Sequence, residues 1–114
     1  MLRTNLKHIN SDEELQKFIK ENENVMICCG RMGPMCIPVY GAMEQLEKDE
    51  KYSGVKFADL DFDVPAANFI RTHPACRMFT GLPFTVYFKN GELAKATSSI
   101  QTKKQVSTIL DEVF

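Results

Sequence analysis

Sulfur-bearing side chains dominate the residues of this chain that could carry chemistry. Met32-Gly33-Pro34-Met35 has the spacing of a C-x-x-C dithiol, with methionine at both sulfur positions. A dithiol exchanges disulfides because one thiolate attacks and the second thiol resolves the mixed disulfide. A thioether has no proton to lose and forms no disulfide, although it packs softly and can ligate soft metals. Any thiol chemistry therefore falls to the four cysteines.

Cys36 is the cysteine best placed to react, and Cys76 is its candidate partner. Cys36 lies four positions after Met32, on the same side of a predicted helix whose first turn stabilises a thiolate. The alternative is a half-exposed cysteine without a role, because a lowered pKa also requires exposure. A Cys36–Cys76 disulfide requires Cα atoms within ~7 Å, a distance that the sequence does not supply. Both residues are candidate catalytic residues.

Cys28 and Cys29 are adjacent in a predicted strand, so their side chains point to opposite faces of the sheet. Cysteine is among the most buried residue types, and we expect both to be small core residues. No metal-binding spacing connects the side chains whose types would suit Cu(I): Met32, Met35, Cys36, Cys76 and His73. We therefore predict no metal and no cofactor.

The charge balance argues against two classes of partner. The 114 residues include 14 Lys and Arg and 15 Asp and Glu, with a net charge of -1. This provides neither the basic footprint of a nucleic-acid-binding protein nor a polybasic membrane patch. No run reaches the ~18 apolar residues of a membrane span, and residues 1–8 are too polar for a signal peptide. We expect one domain over residues 1–114, with reduced thiols, in the cytoplasm. The oligomeric state stays open.

Hydrophobic periodicity predicts an alternation of strands and helices. A short strand around residues 6–9 precedes a helix that a capping box opens at Ser11 and that ends near Asn22. Residues 25–29 are a continuous apolar run, typical of a central strand covered on both faces. This run should be the middle of the sheet.

A second helix should follow Gly33-Pro34 and extend to about Glu50. Pro38 removes a backbone hydrogen bond inside this helix, so we expect a kink there. A strand at residues 55–61 and a helix from Pro65 to about Phe69 or later should come next. A hairpin around Asn90-Gly91, with strands at 84–88 and from Leu93, and a helix capped near Thr102 complete the chain.

Three features together resemble thioredoxin. They are the order of the elements, Gly33-Pro34 at the strand-to-helix junction, and the run from Gly81-Leu82-Pro83-Phe84 to Lys89-Asn90-Gly91-Glu92. The resemblance covers about residues 6–114 and implies an α/β thioredoxin fold, with three α/β/α layers and a mixed central sheet. It also implies that the Leu82-Pro83 peptide is cis and that Pro83 faces the active-site helix.

The departures from the thioredoxin pattern indicate a site without disulfide exchange. Met32 and Met35 replace the family's cysteines, and Arg31 stands where the family usually has a tryptophan. Met26 stands where thioredoxins often bury an aspartate that assists proton transfer. Residues 69–80 form a longer segment than usual before Pro83, which should change the rim of the groove.

The leading hypothesis is a redox-inactive thioredoxin-like module that binds an extended peptide or protein. Exposed methionines adapt to varied partners, and a strand-like peptide can pair with backbone groups beside the cis-proline. The groove predicted from the resemblance consists of Arg31, Met32, Gly33, Pro34, Met35, Leu82, Pro83 and Phe84. The alternative is a thiol-disulfide oxidoreductase that uses Cys36, with Cys76 as candidate partner.

Overall fold

The middle layer of the molecule is a mixed five-stranded sheet. A computed structural model describes residues 2–114 and contains β1 (Lys7–Ile9), β2 (Asn24–Gly30), β3 (Val55–Asp61), β4 (Phe84–Lys89) and β5 (Glu92–Ser98). The strand order is β1-β3-β2-β4-β5. β1 and β2 pair parallel with β3, β4 pairs antiparallel with β2, and β5 pairs antiparallel with β4. The apolar run at residues 25–29 lies in the central strand and is fully buried, as predicted.

Within residues 2–114, four α-helices flank the sheet: α1 (Asp12–Glu21), α2 (Ile37–Glu47), α3 (Asn68–Arg71) and α4 (Lys103–Val113). The start of α1 is capped because the Ser11 hydroxyl accepts a hydrogen bond from the N–H of Glu14 at 3.1 Å. At α4 a capping box forms, in which Thr102 and Gln105 each accept a backbone N–H from the other. These contacts confirm both predicted helix starts.

The start of α2 differs from the prediction. Residues 32–33 form a bend and residues 34–36 a turn, and α2 begins only at Ile37, with Cys36 as its N-cap. Pro38 therefore lies in the first helical turn, where its missing N–H removes no intrahelical hydrogen bond. The kink predicted at Pro38 has no cause in this position. The helix also ends at Glu47, and Glu50–Tyr52 form a separate 3₁₀ turn.

Two apolar cores pack against the opposite faces of the sheet. The first core lies under α2 and α4 and includes Met26, Cys28 and Cys36. The second lies under α1 and α3 and includes Cys29 and Cys76. The three layers α/β/α confirm the predicted fold class, and the alternation of a strand explains why adjacent Cys28 and Cys29 enter different cores.

The hairpin between β4 and β5 has the predicted turn. Asn90 and Gly91 both have positive φ angles, of 52° and 83°, which these two residue types adopt most readily. The helix predicted from Pro65 is split into a 3₁₀ turn, Pro65–Ala67, and the short α3. Across residues 2–114, none of the helices combines the length and the apolar character that crossing a membrane requires.

Candidate functional site

The loop between β2 and α2 presents Met32 and Met35 to solvent. The Gly33 carbonyl accepts hydrogen bonds from the N–H groups of Cys36 and Ile37, at 3.1 and 3.0 Å. This turn leaves Met32 36% exposed and Met35 42% exposed. Cys36, by contrast, is only 2% exposed. Met32 and Cys36 therefore do not share one side of a helix, because the helix starts after both.

Arg31 forms one rim of this loop. Its guanidinium donates two hydrogen bonds to the Asp63 carboxylate, at 2.7 and 3.0 Å, and lies 5.2 Å from the centre of the Phe62 ring. The hydrogen bonds from Arg31 lower the pKa of Asp63 and raise that of Arg31. Arg71 lies over the same Phe62 ring, at 4.7 Å.

Phe62, Asp63 and Arg71 were not identified as site residues by sequence reasoning. A usable signal existed for Asp63, since it follows the end of β3 as Arg31 follows the end of β2. The two strands are parallel and adjacent, so residues just beyond their carboxyl ends come together at one edge of the sheet. No comparable signal points to Arg71.

At the floor of the site, the side chains of Cys36, Tyr40 and Pro83 approach Gly30 closely. A Cβ atom built on Gly30 would lie 2.9 Å from the Cys36 sulfur, 2.9 Å from the Tyr40 hydroxyl oxygen and 3.0 Å from the Pro83 Cβ. Only glycine leaves room for this approach. The Leu82-Pro83 peptide is cis, and Pro83 is buried. β2, the N-terminus of α2 and the Pro83 loop therefore meet at one point.

Leu82 supplies unpaired backbone groups beside this point. The N–H of Ser99 donates to the carbonyls of Gly81 and Pro83, at 3.2 and 3.1 Å. Within residues 2–114, the N–H and C=O of Leu82 itself make no hydrogen bond. The Leu82 side chain is half-buried and packs against both cores.

The three segments that contain residues 32–36 of the β2–α2 loop, Leu82 and Ser99 carry no charged side chains. Residues 32–43, 78–88 and 96–102 contain no Asp, Glu, Lys or Arg. Ile37 and Ile100 are 49% and 44% exposed, and Ile100 lines a depression of ≈ 280 Å³ against α2. We define the apolar patch as Met32, Met35, Ile37, Leu82 and Ile100. Ile37 and Ile100 were not among the predicted groove residues.

Phe84 lies behind the groove and does not line its open side. It is 7% exposed and belongs to the second core. Its ring contacts Phe62 and Phe79 edge-on, each at 5.5 Å between ring centres. Phe84 thus supports the ring over which Arg31 lies.

The four cysteines are free thiols and all are buried. Cys36 and Cys76 lie in cores on opposite faces of the sheet, so the structure does not bring the candidate pair together. Burial raises the pKa of Cys28 well above its usual value, that of Cys29 to about 12, and that of Cys76. In residues 2–114, no group of three or more His, Cys, Asp or Glu side chains is arranged to hold a metal ion.

Asp59 is the one charged side chain in the core of residues 2–114. Its carboxylate is within 2.7 Å of the His8 ring nitrogen Nδ1 and accepts a hydrogen bond from the Thr4 hydroxyl. Burial raises the pKa of Asp59, and the contacts with Thr4 and His8 partly oppose this rise. Met26, on the same face of the sheet, is fully buried and apolar.

The N-terminal segment reaches the site. The N–H of Arg3 donates to the Met32 sulfur at 3.3 Å, and the N–H of Asn5 donates to the Glu44 carboxylate of α2 at 2.8 Å. Leu2 and Leu6 anchor the segment in the first core. Residues 2–6 therefore lie along one side of the groove, which the sequence did not predict.

Comparisons with known proteins identify the fold. No protein-family model and no curated protein sequence matches the chain. Among solved structures, thioredoxin from Plasmodium falciparum superposes with a TM-score of 0.77 at 20% identity, covering 96% of this chain and 100% of that one. Mitochondrial thioredoxin 3 from Saccharomyces cerevisiae gives 0.74 at 20% identity, covering 94% of each chain. Thioredoxin from Malassezia sympodialis gives 0.73 at 17% identity, covering 100% of this chain and 96% of that one. These similarities confirm the predicted thioredoxin fold.

Proposed function

From the thioredoxin fold, with methionines at the exposed loop, we propose that this protein binds an extended peptide or protein segment without exchanging disulfides. The observation that carries the proposal is the apolar patch next to the unpaired backbone of Leu82. Exposed apolar side chains favour binding of a partner's apolar side chains, and free backbone groups accept a strand. Met32 and Met35 provide adaptable contacts but no thiolate.

The expected affinity contribution follows from exposure. Full burial of a methionine side chain is worth about 1.5–3 kcal/mol, and about two-fifths of that surface is still exposed on Met32 and Met35. Burying this exposed surface when a peptide binds is worth about 0.6–1.2 kcal/mol for each methionine. Replacing both by serine should therefore weaken binding about 10- to 50-fold.

The test uses a random peptide display library panned on the wild-type protein. Enriched peptides are synthesised with a fluorophore and titrated by fluorescence anisotropy against wild type and the Met32→Ser/Met35→Ser variant. Phe69→Ser is the matched control, because Phe69 is also 36% exposed but lies on α3, on the other face of the sheet. Equal affinity of wild type and the double variant would contradict the proposal.

A second experiment tests pairing with Leu82. Each backbone nitrogen of an enriched peptide is methylated in turn, which removes one N–H donor without changing the side chains. If a peptide strand pairs at Leu82, methylation at one position should cost at least about 10-fold in affinity, since an unpaired carbonyl is left in the interface. A uniform small loss along the peptide would show that side chains alone hold it.

One contact favours the second candidate function, a thiol-disulfide oxidoreductase that uses Cys36. The N–H of Arg31 points to the Cys36 sulfur at 3.5 Å, and such a donor stabilises a thiolate. The rate of thiol alkylation against pH, compared between wild type and Cys36→Ser, measures this reactivity. Insulin reduction by wild type that Cys36→Ser abolishes would replace the binding proposal with the enzyme.

We also propose a reducing compartment such as the cytoplasm as the place of action, with neither nucleic acid nor a lipid surface as partner. Free thiols persist where glutathione and thioredoxin keep them reduced, and all four cysteines are free. A net charge of -1 favours binding neither to nucleic acid nor to an anionic lipid surface. Microscopy of a fluorescent fusion in the source cells tests the location, and a fusion found in the secretory pathway would contradict it.

A further inference from the structure

Solvent reaches thioethers in this protein but hardly any thiol. Met32, Met35 and Met78 are 36%, 42% and 86% exposed. Met26 and Met43 are fully buried, and each of the four cysteines is at most 2% exposed. The exposed sulfur of residues 2–114 therefore belongs to methionines, two of which lie in the apolar patch.

Thiols and thioethers also differ in whether they must ionise before they react with a peroxide. A cysteine reacts with peroxide as its thiolate, and burial raises the pKa of Cys28, Cys29 and Cys76. Thiolates of these residues are scarce at neutral pH. A thioether needs no ionisation, so its oxidation depends on access alone.

We infer that Met32 and Met35 form an oxidation site, at which a peroxide makes the sulfoxides before any cysteine is oxidised and thereby weakens peptide binding. In each step the methionine sulfur attacks a peroxide oxygen, an S–O bond forms, the O–O bond breaks, and water leaves when the oxidant is hydrogen peroxide. The sulfur loses two electrons and the peroxide gains two. The effect on peptide binding rests on the proposed function.

The geometry explains why oxidation changes the groove. A sulfoxide is polar, and it strongly accepts hydrogen bonds. The Met32 sulfur already accepts the N–H of Arg3 at 3.3 Å, so a sulfoxide oxygen there has one donor nearby. No donor contacts the Met35 sulfur in residues 2–114. An apolar peptide would cover that sulfoxide without pairing it, which should weaken binding about 10- to 100-fold.

Graded oxidation with hydrogen peroxide tests the site directly. Cleavage after Arg31 and Lys48 places Met32, Met35, Cys36 and Met43 in one tryptic peptide, so fragment spectra compare exposed and buried sulfur in the same molecule. We expect Met78 and Met35 to oxidise first, Met32 next, and Met43 and the cysteines last. Cysteine oxidation that precedes Met35, or equal rates at Met35 and Met43, would overturn the inference.

Peptide affinity tests the consequence, with the enriched peptides as probes. Oxidised wild type should bind at least about 10-fold more weakly, and methionine sulfoxide reductases A and B should restore affinity, with dithiothreitol supplying the two electrons and the oxygen leaving as water. The affinity of the Met32→Leu/Met35→Leu variant, measured before and after peroxide, should not change on treatment, because leucine has no sulfur to oxidise. Met78→Leu should remain peroxide-sensitive.

The outcomes separate the two proposals. If unoxidised wild type enriches peptides that bind equally well after oxidation, the oxidation switch is wrong and the binding function stands. If no peptide depends on Met32 and Met35, the proposed function and its regulation both fail. The order of oxidation in the mass spectra still decides whether Met32 and Met35 are an oxidation site.

Discussion

Substituting Gly30 by alanine tests the convergence that forms the floor of the site. The new Cβ would meet three atoms at 2.9, 2.9 and 3.0 Å, whereas carbon atoms pack best at about 3.5–4.0 Å. The three atoms come from α2 and from the Pro83 loop, so no single shift relieves all of them. Overpacking of this kind costs up to about 3 kcal/mol.

Part of this cost is offset in the unfolded chain. Alanine restricts that chain more than glycine, which favours folding by about 0.4–1 kcal/mol. We therefore expect Gly30→Ala to lower the free energy of unfolding by about 2 kcal/mol, and Tm by about 8 °C. The chain has no tryptophan, so urea unfolding followed by far-ultraviolet circular dichroism is the suitable assay. Gly54→Ala is the matched control, because its Cβ would meet nothing within 4 Å.

Two further substitutions assign the clash to named atoms. Cys36→Ala removes the sulfur, and Tyr40→Phe removes a buried hydroxyl that makes no hydrogen bond within residues 2–114. In this double background, Gly30→Ala should cost about 1 kcal/mol or less, a coupling typical of residues in contact. Full stability of Gly30→Ala alone, or an unchanged penalty in the double background, would refute the described convergence.

Three other predictions concern stability. Burial raises the pKa of Asp59, so the folded protein holds this proton more tightly than the unfolded chain does, and the contribution of Asp59 to stability falls as pH rises above about 4. In urea unfolding from pH 4 to 8, the free energy of unfolding of Asp59→Asn should therefore rise relative to that of wild type. A difference between the two proteins that stays constant with pH would contradict this. Thr102→Ala should lower the free energy of unfolding by about 1 kcal/mol, because it removes the α4 capping box. Ser107→Ala is the control and should be nearly neutral. Equal effects of the two substitutions would show that the capping box does not stabilise the protein. Met26→Asp should destabilise the fold by several kcal/mol at pH 7, and by less at pH 4, where the carboxyl can be neutral. A variant that unfolds at the same urea concentration as wild type at pH 7 would mean that water reaches the first core.

Local patterns in the sequence were sufficient for most of the elements. β2 is an uninterrupted apolar run, the ends of α1 and α4 carry capping residues, and Asn90-Gly91 specifies its turn. Each of these signals acts through contacts between residues close in the chain. They are therefore readable without the tertiary structure.

The site was less predictable because it depends on where α2 begins. Because α2 starts at Ile37 and not directly after Gly33-Pro34, Cys36 is a buried N-cap and not a residue of the first helical turn. The contacts of Arg31 with Asp63 and Phe62 join residues more than 30 positions apart, and only the pairing of β2 with β3 brings them together. Propensity and periodicity carry no information on such distances.

The absence of a thiol from the exposed loop has a kinetic consequence. A peptide that meets Met32 and Met35 cannot become covalently attached to them, so its residence time is set by dissociation alone. With an association rate constant of about 10⁵–10⁷ M⁻¹s⁻¹ and a Kd of about 1 μM, that residence time is about 0.1–10 s. Under the proposed function, occupancy would then follow the free peptide concentration from second to second and would leave no chemical trace on the partner.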